Sequence, residues 1–87
     1  MREKAKVINN KIIDTMIKLM NEKNTTQEEF ISEIINNTIM TESRIRRILD
    51  RTSKMAITIK ELYYISLVLN VDIKELLKDV DKVLDLH

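Results

Sequence analysis

Apolar residues along this chain recur at the spacing of helices rather than strands. Between about residues 4 and 23, Ile12, Met16 and Leu19 form one stripe and Ile13, Ile17 and Met20 a second beside it, an apolar arc broader than one core contact needs. That helix is expected to stop near Asn24. Thr26 and Glu29 have the spacing of a capping box, which opens a second helix with Phe30, Ile31, Ile34 and Ile35 as its apolar side. Asn36 and Asn37 are its expected stop, because Asn tolerates the left-handed conformation. Thr41 is placed as an N-cap for a third, short helix whose Ile45, Ile48 and Leu49 share one side, while Ser43, Arg44, Arg46 and Arg47 cover the rest. Residues 51–54 are polar and turn-like. A second capping box, Thr58 with Glu61, begins a fourth helix to about Leu69 with Ile59, Leu62, Ile65 and Leu69 inward and Asn70 as its close. Asp72 caps a last helix bearing Ile73, Leu76, Leu77, Val80, Val83 and Leu84 and reaching about residue 85. The pattern predicts an all-α domain of five helices.

Composition sharpens this picture by exclusion. The chain has 87 residues, enough for one domain with a modest core, and it contains no Gly, Pro or Cys. Every turn therefore falls to Asn, Asp, Ser or Thr, and disulfide and thiolate chemistry are absent. Neither a signal peptide nor an apolar run near membrane-spanning length is present, so a soluble, cytoplasmic protein with no membrane partner is expected. Catalysis has no foothold, since there is no phosphate-cradling glycine loop, no nucleophile beside a base and no ligand cluster. No enzyme activity, cofactor, metal or small-molecule substrate is expected. His87, the single histidine, reads as exposed and silent. Tyr63 and Tyr64 read as packing or half-exposed helix residues, and the alternating acids and lysines after Asp72 as an exposed helix surface.

Net charge is only +1, but its distribution is polarised. Residues 1–23 and 41–60 carry +3 and +4, whereas 24–40 and 61–87 carry −3 each. The positive segments include the third helix, whose arginines suit the DNA major groove: a helix has the right width, and an arginine fork matches guanine edges and phosphates. A solvated basic face is the plainer reading of the same residues.

Three segments carry a family resemblance: LMNEKNTTQEEF (19–30), TESRIRRIL (41–49) and TIKELYYISLVLNVDIKELL (58–77). Together they resemble the Cro/XRE-type helix-turn-helix family of phage repressors, over about Ile12 to Leu77. The resemblance implies a five-helix, lambda-repressor-like domain that binds operator DNA as a homodimer, with the third helix in the major groove. Carried over by position, it puts base contacts on Glu42, Ser43 and Arg47, with Arg46 nearby. Gln27 is then expected to face the DNA backbone, with Arg44, Arg51, Thr52 and Lys54 as phosphate contacts. The chain departs from the family in two places. Six residues, Ile35 to Met40, stand between Ile34 and the Thr41 cap where relatives have a short glycine turn. The excess is either an added turn of helix two or a longer loop, and both leave Ile39 or Met40 packed. Glu42, a carboxylate at the first reading position, accepts from cytosine but is repelled by phosphates.

The apolar surplus bears on assembly. Ile13, Ile17, Met20, Leu67, Val80, Val83, Leu84 and Leu86 predict a homodimer involving the last helix, with Val80, Val83 and Leu84 at the interface; packing within a monomer is the alternative. The competing function is a module of the same fold that binds protein and reads no DNA, such as an adaptor or a small inhibitor from a mobile element.

Overall fold

Burial of an apolar side chain of Leu or Ile size contributes about 1.5–3 kcal/mol, which outweighs the mediocre helix propensity of this Ile- and Thr-rich chain. The structure, a computed structural model, describes residues 2–80, with side chains from Ala5 onward; Val83, Leu84, Leu86 and His87 lie outside them. It is all-α and helix-turn-helix-like: α1 (Arg2–Glu22), α2 (Gln27–Asn37), α3 (Glu42–Leu49), α4 (Ile59–Leu69) and α5 (Ile73–Leu77). Helix α1 packs against each of the other four, which explains its broad apolar arc. Ile12, Ile13, Met16, Leu19 and Met20 are all buried, around Phe30, Ile34, Ile45, Ile48, Ile65 and Leu76 of the remaining helices. Of the described residues in the apolar surplus, Ile13, Met20 and Val80 are buried and Ile17 is partly buried against the core, whereas Leu67 is exposed. Val80, only 6% exposed, belongs to the same core and so is not available to a partner; its assignment to a dimer interface is corrected.

The helix starts follow their local chemistry. The Thr26 hydroxyl accepts from the Glu29 N–H at 3.1 Å, and the Thr26 N–H donates to the Glu29 carboxylate at 2.8 Å. The Thr26 backbone N–H, and after it the Thr26 side chain, hold the Glu29 carboxyl below its ordinary value. Thr58 and Glu61 repeat the box at 3.1 and 2.9 Å, and Thr41 accepts from the Arg44 N–H at 3.1 Å. Asp72 occupies its N-cap position without a side-chain bond. Ile35 and Ile59, expected to face inward, are exposed. Ile59, the first residue of α4, lies on the same outer face as Tyr63 and Leu67, which are exposed as well.

Helix ends are closed without glycine. Asn24, Arg51 and Asn70 take the left-handed conformation, with φ of 54°, 62° and 58°. In each case the left-handed residue and the one after it donate backward, as Asn70 does to Leu67 and Val71 to Ser66, satisfying two terminal carbonyls. Lys23 Nζ donates to the Leu69 carbonyl, a further partner for the end of α4. Helix α2 ends differently. Asn36 and Asn37 remain helical, and the chain turns extended at Thr38, whose hydroxyl donates to the Ile34 carbonyl at 2.7 Å and accepts from the Met40 N–H at 3.1 Å. The extra length between α2 and α3 is therefore mostly added helix, and the connection itself is short. Met40 is the residue that packs into the corner, 8% exposed against 73% for Ile39. Met40→Asp is expected to lower stability by about 3 kcal/mol or more, through a lost apolar contact and a buried carboxylate. Ile39→Asp should stay within about 0.5 kcal/mol of the parent in urea unfolding. The reverse order would place Ile39 in the core.

Candidate nucleic-acid interface

Helix α3 is held along its length, and that holding consumes much of its charge. Its inner side buries Ile45, Ile48 and Leu49. The segment that follows it, residues 50–58, is fixed from α1 by Asn9, a buried carboxamide on the same stripe as Ile12 and Ile13. Asn9 Nδ2 donates to the Met55 carbonyl at 2.9 Å, and Oδ1 accepts from the Ile57 N–H at 3.1 Å. A buried amide with both ends occupied is a strong positional constraint, because either backbone group left alone costs about 1–3 kcal/mol. Asn9 was not among the candidate residues, although a polar residue on an apolar stripe is a readable signal.

Arg44, expected at a phosphate, is engaged within the fold as a brace. Its guanidinium meets Glu61 of α4 through two bonds of 2.6 and 2.9 Å, and its Nη1 donates to the buried Ser53 hydroxyl at 2.9 Å. The arginine's hydrogen bonds hold the Glu61 carboxyl below its ordinary value against the opposing effect of burial, while Glu61 raises Arg44 in return. Arg51 is likewise turned inward. Its left-handed backbone, costly for a residue with a Cβ, is held by guanidinium bonds to the Asn10 carbonyl and side chain at 3.2 and 3.1 Å and to Asp14 at 2.6 Å. Thr52 is exposed, with its hydroxyl donating to the Arg47 carbonyl at 3.3 Å.

Arg46 lies between two carboxylates. Nε donates to Glu42 one turn back at 2.8 Å, and both terminal nitrogens donate to Glu28 at the start of α2, at 2.9 and 2.8 Å. Its hydrogen bonds to Glu28 and then Glu42 raise its pKa, and Glu28 is lowered correspondingly. This exposed trio ties α3 to α2 but is screened by solvent and carries little stability. Glu42, expected at a base edge, is paired with Arg46.

Ser43 and Arg47 remain, four residues apart on the outer face of α3, both exposed and without a side-chain partner among the described residues. Lys54 is exposed and unpaired beyond the helix, and Gln27 is exposed at the start of α2. The acidic segments thus neutralise the basic ones across the fold, so the surface around α3 is mixed in sign rather than a basic patch. Among the described residues no cluster of His, Cys, Asp and Glu is arranged to hold a metal ion, and no helix is long and apolar enough to cross a membrane.

The Arg44–Glu61 pair predicts a pH dependence of stability. Glu61 is held below its ordinary 4.5, so its contribution is complete above that value and is lost as pH falls through the lower folded value. Glu61→Gln should cost about 1.5–3 kcal/mol at pH 7 in thermal unfolding, the range for hydrogen bonds to charged groups. That difference from the parent should shrink steadily as pH falls below 4.5. A difference that does not change with pH would assign the loss to something other than the ion pair.

Comparison of the chain with family models, with curated proteins and with solved structures finds no match, so the resemblance to Cro/XRE-type repressors rests on the three sequence segments alone.

Proposed function

We propose that this protein is a DNA-binding transcriptional regulator, a repressor that lays the outer face of α3 in the major groove and acts as a homodimer in the cytoplasm, without catalysis or a cofactor. The observation that carries this reading is the pair Ser43 and Arg47, exposed and unpaired on a helix whose other arginines are spent on fixing it. A free arginine on a rigid helix suits bidentate contact with guanine O6 and N7, worth about 1–3 kcal/mol of base discrimination. Lys54 suits a phosphate, which contributes affinity without sequence information.

With Arg44, Arg46 and Arg51 engaged internally, few cations are left for phosphates. The dependence of log affinity on log salt should accordingly have a slope of about −2 per protomer, from Arg47 and Lys54, rather than the roughly −4 to −5 that five free cations would give. Against an operator recovered by selection from random duplexes, Arg47→Ala should lose preference for that operator and keep most of its affinity for random DNA. Lys54→Ala should weaken both and flatten the slope by about one unit. Glu28→Gln combined with Glu42→Gln frees Arg46 and should tighten random-DNA binding and steepen the slope. Equal loss of specific and random binding in the first two variants would remove α3 as the reader.

A second reading is favoured by one observation, the two carboxylates Glu28 and Glu42 on the same outer surface, which repel a phosphate backbone. It is a protein-binding module of the same fold. Absence of binding to any duplex at low salt would put it in first place.

A further inference from the structure

We infer that the outer face of α4 is the surface on which a second copy of this chain docks, with the two α4 helices antiparallel about a two-fold axis through Tyr63. Ile59, Tyr63 and Leu67 are 78%, 50% and 54% exposed, and they recur every four residues, so they form one apolar stripe along the helix. Isolated exposed apolar residues are ordinary, whereas a continuous stripe on one helix marks a contact surface. Of the residues expected at a last-helix interface, Val80 is spent on the core, whereas the α4 stripe is exposed.

Spacing and charge identify the occupant. Ile59 and Leu67 are equidistant from Tyr63, so a two-fold axis there sets Ile59 against Leu67 of the other copy and Tyr63 against its own equivalent. An isologous pairing needs this self-complementarity. Beside the Leu67 end runs a groove lined by Glu33 and Asn37 of α2 with Val68 of α4. Beside the Ile59 end, one residue on, is Lys60, exposed and without a partner among the described residues. A helical turn carries Lys60 toward the α2 flank of the stripe, the flank on which Glu33 lies at the other end. Antiparallel docking therefore brings each Lys60 to the Glu33 of the other copy, twice by symmetry, and opposes the two helix dipoles favourably. Parallel docking would leave each Lys60 at the opposite end of the helix pair from the Glu33 of the other copy. Because Glu61 on the same helix grips Arg44 of α3, an α4 dimer also sets the distance between the two α3 helices; only this consequence rests on the proposed function, and the interface itself does not.

Sedimentation of the full chain at micromolar to high micromolar concentration, without DNA, tests the inference. The parent is expected to be a dimer. Tyr63→Lys and, separately, Leu67→Lys should raise the dimer dissociation constant by about 30-fold or more, as for central interface residues, with melting like the parent's at concentrations low enough that both are monomeric, because both positions are exposed. Lys60→Glu and Glu33→Lys should each weaken the dimer, and the two together should restore it, which only the antiparallel register predicts. A parent that stays monomeric overturns the inference. So does a dimer indifferent to Tyr63→Lys and Leu67→Lys, or a monomer that dimerises once residues 81–87 are removed, which would make that segment the occupant of the stripe. Loss of the dimer in Tyr63→Lys supports it whether or not the protein binds DNA.

Discussion

Asn9 does for this chain what glycine-containing turns do for many others. The segment between α3 and α4 runs without glycine over the body of the protein, so its inward-facing backbone groups need partners supplied from elsewhere. The Asn9 carboxamide supplies two of them, to Met55 and Ile57, from a buried position on α1. Ser53, Arg44 and Arg51 add bonds on either side of that clamp. With the segment fixed, the angle at which α3 leaves α2 and meets α4 is fixed too. The outer face of α3 follows from polar accounting at its rear as much as from the apolar contacts beneath it.

What was legible in the sequence was local. Thr26, Thr41 and Thr58 announced helix starts, and Asn24 and Asn70 announced stops, because capping needs groups only a few residues apart. The five helices follow from those marks and the apolar period. Periodicity says which residues share a face but not whether a neighbour covers it. Ile35 and Ile59 were therefore expected inside and lie outside, while Val80 was expected at a surface and is buried. The arginines were illegible for a related reason. Arg44 finds Glu61, Arg46 finds Glu28 and Arg51 finds Asp14 at sequence separations of 17, 18 and 37, and nothing in a charge count by segment foretells those pairings. Segment charges that looked like a basic helix become, once folded, a surface of mixed sign on which Arg47 and Lys54 stay unpaired among the described residues.

That balance gives the functional reading its character. A reader with many free arginines gains affinity for any duplex from counterion release, whereas one with few depends on base contacts and on pairing two half-sites. On the proposed function, the arginines of one short helix divide the work: Arg44 braces it, Arg46 pairs with Glu28 and Glu42, and Arg47 is left to project. The exposed stripe on α4 belongs to the same economy, since a second copy would double both the length of sequence read and the small number of phosphate contacts.

The most direct measurement is a titration of the uniformly nitrogen-labelled protein with duplex DNA, followed by amide and arginine side-chain NMR shifts. If α3 reads DNA, the largest changes fall on Ser43 and on the backbone and guanidinium of Arg47, with smaller ones at Gln27 and Lys54, and the Asn9 carboxamide stays unmoved. Changes centred instead on Ile59, Tyr63 and Leu67, or none at any DNA concentration at low salt, would contradict the account.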